Sequence, residues 1–454
     1  MIGIEEIKNL IAYAQEKLEL NARNMQYKAN RLLELVASGL EGAELEDAVY
    51  GELSLMPSET DERFSTIMKD SGSKAATEWL YNYCVCNKYV KKDVLDKNPR
   101  FDTENGLTIT INKAKPEFRD PKKAKAGNSV DGGFAKCVIC RENEGFAPRN
   151  KRNLRTVSIT LGGKPWFWQY SPYGYFHEHG IAVNCEHTPM HIDRQTLENL
   201  VDFVDKFPHY FIGCNAPLER IGGSVLAHDH YQGGGEILPL HKAKIKTKIK
   251  DKKFPYVTVG ILDWAGTVIR IKSDKRNEVV DIADRLREAW INYSNPELGI
   301  ISEDENGVHN AISPTVIKTA THYEMNVILR SNITNEKYPD GVFHAHPEYH
   351  AIKKESIGLI EAQGLFILPG RLEEQLYKIE KIIKDQKPLP SEFAEFKLVY
   401  DETKALYESG KYADIHTAMQ EELGSICYRI LENTAVFKNE EDLKRFLKTA
   451  GFEI

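Results

Sequence analysis

The chain has 454 residues, with 60 Lys and Arg against 67 Asp and Glu for a formal net charge of −7, and 41% of its residues are hydrophobic and 28% charged. Those proportions exclude an intrinsically disordered chain, and the mildly acidic balance excludes a global field that would recruit nucleic acid, so any phosphate must be met by a local site. A mean hydropathy of −0.45, the lack of any apolar run near the ~18 residues of a membrane helix, and seven cysteines, too few and too odd in number for a disulfide framework, point to a cytoplasmic protein without a membrane partner.

The first stretch, MIGIEEIKNLIAYAQEKLEL, is amphipathic and unlike a signal peptide. Apolar residues at Ile7, Ile11, Leu18, Leu32, Leu33 and Val36 keep helical spacing, and a further helix is expected around Ala75 to Tyr83. Residues 1–112 therefore read as a helical N-terminal region. Lys113 to Lys136, rich in Pro, Gly and Lys, reads as an exposed loop. From Cys137 the pattern changes to short β-rich runs, Val157 to Leu161, Gly180 to Asn184 and His209 to Gly213, with one helix near Arg194 to Phe207. The lysine alternation of Lys242 to Lys253 has the look of an edge strand, where lysines discourage wrong pairing.

A second copy of the plan follows Phe254: strand-like Val257 to Leu262 and Thr267 to Ile271, a helix over Lys275 to Asn292, then a hairpin carrying histidines. In the first copy Asn215 precedes a His-x-His at His228 by 13 positions, and in the second Asn332 precedes one at His344 by 12. This spacing suggests duplication of a small unit, with halves at 113–253 and 254–370. Residues 371–454 carry three helical patterns, broken at Pro388 and Pro390 and near Gly410. The expected fold class is α+β, two related halves of mainly antiparallel sheet with helical additions at both ends.

The chemistry concentrates in AHDHYQGG, Ala227 to Gly234. On a strand, His228, His230 and Gln232 share one face while Asp229 and Tyr231 face the other. A metal site, a nucleophile with a positioning partner and a polar core ladder all fit. Gly222, Gly223 and Ser224 before the motif, and Gly233 to Gly235 after it, allow close approach of a ligand to backbone N–H donors. A neutral imidazole is a competent nucleophile toward phosphorus. His230 is the candidate for that role, and Gln232 would hold a non-bridging phosphate oxygen.

Cys137 and Cys140 form a Cys-x-x-Cys pair, open to a zinc knuckle, a redox pair or two buried thiols. Zinc takes four ligands, and His187 and His228 are the downstream candidates, which leaves His230 free; His191 competes with His187, and Cys185 with either cysteine. Cys84 and Cys86 read as structural. In the second half, His344, His346 and His350 are joined by Pro347 and Glu348 rather than Gln, so that half is not expected to carry the nucleophile. His309 could join His344 and His346 in a second metal site.

Together HDHYQGG, CVICRENEGF, QYSPYGYFHEHGIAVNCEHTPMHID, PHYFIGCNAPLERIGGS and HAHPEYHAIKKESIGLIEAQGLFILPGRL resemble the class II, bacterial branch of the galactose-1-phosphate uridylyltransferases, within the histidine triad superfamily. The resemblance spans nearly the whole chain. It implies two histidine-triad-like halves in a homodimer and a ping-pong exchange in galactose metabolism, in which His230 takes UMP from UDP-glucose and passes it to galactose-1-phosphate to give UDP-galactose. It places Gln232 on the phosphoryl oxygens, Asn215, Gly223 and Ser224 along the phosphates, and sugar contacts at Lys353, Lys354, Glu355 and Glu361. From the class I branch it implies zinc on Cys137, Cys140, His187 and His228, and a second metal for which His309, His344, His346 and Glu236 are matches. Asp229 stands where class I has Pro. Two other readings stay open: a dinucleoside polyphosphate phosphorylase or hydrolase of the same superfamily, and a zinc-stabilised nucleotide-binding module without turnover.

Overall fold

The structure, a computed structural model, describes residues 3–113, 134–223 and 225–454. Ser224 and most of the loop expected at Lys113 to Lys136 lie outside the described residues. The N-terminal helices are α1 (Ile4–Lys17), α2 (Met25–Ala37), α3 (Gly42–Leu53) and α4 (Pro57–Cys86). Ile7 and Ile11 of α1, Leu32 of α2 and Val49 and Leu53 of α3 meet in one apolar cluster, as their spacing requires. Gly72 breaks α4 with a φ of 87°, a left-handed conformation that glycine adopts without steric cost. The helix expected around Ala75 to Tyr83 is thus the second limb of a longer kinked one.

The expectation of a wholly helical region to residue 112 needs correction. After the short α5 (Lys92–Leu95) come β1 (Arg100–Asp102) and β2 (Thr108–Asn112). All five residues of β2 are buried, and β2 pairs in parallel with β15 (Leu365–Pro369), Leu365 opposite Thr108.

The main sheet is built from two runs of elements. The first is β3 (Val157–Leu161), β4 (Lys164–Tyr170), β5 (Gly180–Asn184), helix α6 (Arg194–Lys206), β6 (Phe211–Gly213) and β7 (His230–Gly234). After α7 (Pro239–Lys242), the second is β8 (Ile245–Asp251), β9 (Thr258–Leu262), β10 (Val268–Ser273), helix α8 (Arg276–Ile291), β13 (Asn310–Lys318) and β14 (Tyr323–Ser331), with the two-residue strands β11 (Glu303–Asp304) and β12 (Gly307–Val308) pairing apart from it. Within the sheet the first run lies in the order β3-β4-β5-β7-β6 and the second in the order β8-β9-β10-β14-β13, so both halves repeat one winding. They join at β6 and β13 through Gly213 opposite Thr315 and Ile212 opposite Val316. The lysine-rich β8 precedes residue 253 but pairs with β9, so by pairing it belongs with the second run. Its outer neighbour is only the two-residue β16 (Phe452–Glu453), close to the edge position that its lysines suggested.

The two His-x-His runs do not occupy equivalent places. The first leads into β7, whereas His344 and His346 follow β14 in a turn that ends in a 3₁₀ segment at Pro347–Tyr349. The second half's hairpin, β13 with β14, forms ahead of them, so its histidines come after the strands and not on one.

Helices α6 and α8 cover one face of the sheet. Asp193 caps α6 by accepting from the Thr196 N–H at 2.9 Å, and Leu197, Leu200, Val201 and Val204 recur at helical spacing on its buried side. They pack with Trp166, Trp168 and Ile212 of the sheet and with Val279, Ala283 and Leu286 of α8. The opposite face is covered by β15 and the short α9 (Leu359–Ala362). The C-terminal region then forms α10 (Arg371–Lys384), α11 (Lys397–Glu408), α12 (Ile415–Thr434) and α13 (Glu440–Thr449), four helices where the sequence breaks indicated three.

Candidate active site

Among the described residues, a single group of His, Cys, Asp or Glu donors could share an ion: Cys137, Cys140, His187 and His228, with ligand atoms all within 4.8 Å of one another. The two cysteines are free thiols, their sulfurs 3.4 Å apart, and the Nδ1 of His228 is 3.3 Å from Cys137 Sγ and 3.6 Å from Cys140 Sγ. A tetrahedral zinc with Zn–S of about 2.3 Å and Zn–N of about 2.0 Å spaces two sulfurs by about 3.8 Å and sulfur from nitrogen by about 3.5 Å. The donor set therefore fits zinc with small adjustment. His228 donates from Nε2 to the Asn184 carbonyl at 2.8 Å, which leaves Nδ1 as its ligating atom. The Nε2 of His187 is buried with no hydrogen-bond partner, an orphan that an ion would satisfy. A hydrogen bond from Cys140 pulls the Cys137 thiol down to about 7. Of the competitors, Cys185 and His191 are exposed and outside the group.

His230 opens β7, and Gln232 follows on the same face. His230 is buried, and burial drives its pKa down to about 4, so the ring is neutral. Its Nδ1–H donates to the His228 carbonyl at 2.8 Å, which assigns the lone pair to Nε2. The two histidines of the motif are thus coupled through one peptide carbonyl. Tyr231 faces away, stacked on Trp166 at 4.6 Å with its hydroxyl accepting from Asn199 of α6 at 3.1 Å. Asp229 is also buried, and desolvation raises its carboxyl to about 6.

Gln232 Oε1 lies 3.2 Å from His179 Nε2. His179 was not singled out by sequence, although in FHEHGIAVN it closes a third His-x-His with His177, a signal that could have found it. Asn215 lies just beyond β6, whose Gly213 is opposite Gln232. Its Oδ1 accepts the Leu359 N–H at 2.8 Å, while its Nδ2 is buried and unpartnered. A Cβ on Gly223 would stand 2.9 Å from that nitrogen, so glycine is what lets the loop close over the amide. Gly233 plays a different part from the ligand approach expected of it: a Cβ there would collide with the Phe211 carbonyl of β6, so its smallness serves strand packing.

The residues suggested for a second metal are not gathered. His309 contacts Asn332 Oδ1 and Asp304, His346 stacks on Tyr338 at 4.0 Å, His344 contacts the Ala345 carbonyl at 3.2 Å, and Glu236 is ion-paired with Arg100. Each is held by contacts in its own neighbourhood. Lys353, suggested for sugar contacts, is buried against Glu361 at 2.6 Å and Glu355 at 3.2 Å.

Residues 174–391 match the family model "Galactose-1-phosphate uridyl transferase, C-terminal domain". The chain is 54% identical over 414 residues to a galactose-1-phosphate uridylyltransferase of Bifidobacterium longum subsp. longum, covering 91% of this chain and 80% of that protein. It is 36% identical over 465 residues to one of Ligilactobacillus salivarius, covering 98% and 93%. Among solved structures, yeast Ap4A phosphorylase Apa2 aligns at a TM-score of 0.34 and 10% identity over 73% of this chain and 92% of that one, a likeness too slight to argue from. With more than half of the aligned residues identical to one such protein across 91% of the chain, and more than a third to another across 98%, the chain belongs to the galactose-1-phosphate uridylyltransferase family.

Proposed function

We propose that the protein is a UDP-glucose:hexose-1-phosphate uridylyltransferase working by ping-pong transfer through His230. The observation that carries this reading is the hydrogen bond from His230 Nδ1 to the His228 carbonyl, which aims an unprotonated Nε2 from a buried, neutral ring. In the first half-reaction Nε2 attacks the α-phosphorus of UDP-glucose. The N–P bond forms, the P–O bond to glucose-1-phosphate breaks, and UMP stays on the ring. In the second, a phosphate oxygen of galactose-1-phosphate attacks the same phosphorus, UDP-galactose leaves, and the imidazole is restored. Gln232 holds a non-bridging oxygen as charge builds in the transition state, and the unpartnered Asn215 Nδ2, the Gly223 backbone and Ser224 lie along the phosphates.

Zinc on Cys137, Cys140, His187 and His228 would be structural: it would fix the His228 ring and, through the adjoining carbonyl, the orientation of His230. The donor chemistry of the group and the orphaned His187 nitrogen support zinc. The repeated winding supports two related halves, the first carrying the nucleophile, with the break before β8 rather than after residue 253, between an N-terminal region that is helical as far as α5 and a mainly helical region from 371 to 454. A homodimer in the cytoplasm that acts on UDP-sugars and hexose-1-phosphates, without nucleic-acid or membrane partners, completes the reading; among the described residues no helix is long and apolar enough to cross a membrane.

The test is intact mass after mixing the protein with UDP-glucose alone. One uridylyl group should be added, vanish on addition of galactose-1-phosphate, and be absent from His230→Asn. Steady release of UMP without a sugar phosphate would move the assignment to a hydrolase, and bound, unreacted nucleotide to a binding module.

A further inference from the structure

We propose that His179 is the positioning residue of this reaction, the group that decides which end of the Gln232 amide faces the phosphate; the inference rests on the role given to Gln232 above. A carboxamide presents an oxygen or an NH2 with nearly equal size, and only its partners choose between them. Turned one way, Gln232 donates to an anionic phosphoryl oxygen. Turned the other, it sets lone pairs against that charge.

The choice is wired through one ring. The Tyr175 backbone N–H points at His179 Nδ1 at 3.4 Å, so Nδ1 is the acceptor and the proton is on Nε2. That Nε2–H donates to Gln232 Oε1 at 3.2 Å. The amide oxygen is thereby occupied, and the NH2 is left as the free end of the amide; among the described residues nothing accepts a hydrogen bond from it. The ring itself has little freedom. It is buried, tilted against Phe176 at 4.6 Å and stacked on Tyr175 at 4.9 Å with planes 27° apart. A neutral donor in an apolar sandwich orients an amide without adding charge beside the reacting phosphate. Nothing in this arrangement touches the substrate, so His179 acts only through Gln232.

The decisive measurement is a double-mutant cycle on the rate of uridylylation by UDP-glucose in the first turnover, with His179→Phe, Gln232→Ala and the pair together. Phenylalanine keeps the stacking and removes the donor. His179→Phe should slow the step roughly 2- to 13-fold, the bias one neutral hydrogen bond sustains, with half-saturation by UDP-glucose and bound zinc unchanged. Gln232→Ala should cost about 100-fold or more. In the Gln232→Ala background, His179→Phe should cost nothing further, a result that a merely structural role would not give. A full-rate His179→Phe beside a slow Gln232→Ala would overturn this inference alone, as would equal losses in both backgrounds. A full-rate Gln232→Ala would overturn the role of Gln232 and this inference with it. Should His179→Phe fail to fold, spectra of the wild-type protein with ¹⁵N-labelled histidine decide: near neutral pH His179 should carry its proton on Nε2, and a proton on Nδ1 overturns the proposal.

Discussion

Gly233→Ala tests the geometry of the site from its backbone side. An added Cβ would collide with the Phe211 carbonyl and stand 2.8 Å from Ile212 Cδ1 and 3.1 Å from Ile212 Cα. Carbon atoms settle at about 3.5–4.0 Å, so β6 and β7 must part by roughly 0.5–1 Å. Overpacking of this kind costs about 1–3 kcal/mol. The same movement separates Gln232, the preceding residue on β7, from Gly213, its partner on β6, and Asn215 just beyond. A misplacement near 1 Å in an active site can cost about 100-fold in rate. We therefore expect a lower melting temperature and a first-turnover uridylylation rate reduced 10- to 100-fold (order of magnitude), with one uridylyl group still added at completion because His230 is retained. Gly266→Ala serves as the control, since a Cβ there meets its nearest neighbour at an ordinary 3.6 Å. A Gly233→Ala protein as stable and as fast as the Gly266→Ala control would refute the claim that this strand contact sets the site.

Three further outcomes follow from the same geometry. Cys140→Ser should abolish bound zinc, measured by metal analysis, and lower the melting temperature; unchanged values would sink the zinc assignment. Tyr231→Phe, on the far side of β7, should destabilise by about 1–2 kcal/mol in urea, because the buried Asn199 amide loses its acceptor, while leaving the transfer rate unchanged. His241 is buried beside Arg270, and burial holds its pKa down to about 3. Between pH 6.5 and about 3 the unfolded chain binds a proton that the folded state refuses, so stability falls with pH across that window, by about 2 kcal/mol from pH 6.5 to 5. Urea midpoints of wild type and His241→Gln should diverge there, the variant losing less; parallel curves would contradict it.

Much of the site was legible because local chemistry announces itself in spacing. Cys137-x-x-Cys140 needs two further ligands, and His187 and His228 lie within reach of it. His230 and Gln232, two apart, share a strand face by pleat geometry alone. Helix α6 was read near Arg194 to Phe207 and forms over Arg194–Lys206. What escaped had a weaker local signature or none. His179 matters through one contact across 53 positions of sequence, and the His-x-His it closes does not distinguish it from His177. Strand β2 is short, and its partner in β15 is far along the chain, so it could be read as the tail of a helical region. The second His-x-His looked like part of a hairpin by analogy with the first, but β14 already takes the place of β7 in the second half, and the histidines fall in the turn beyond it.

The parallel pairing of β2 with β15 has a consequence for how the protein is made. Strand β2 leaves the ribosome about 250 residues before the partner that covers it, and at roughly 5–20 residues per second that is an interval of some 10–50 s. During it, Leu107, Ile109 and Ile111, all buried in the finished molecule, wait beside an unpaired strand edge. The edge of β6 waits about 100 residues for β13, less than half as long as β2 waits for β15, so translation speed and chaperone supply bear on yield through this N-terminal segment more than through the strands of the site. Slowing synthesis before β15 should raise the insoluble fraction without changing the activity of the molecules that finish folding.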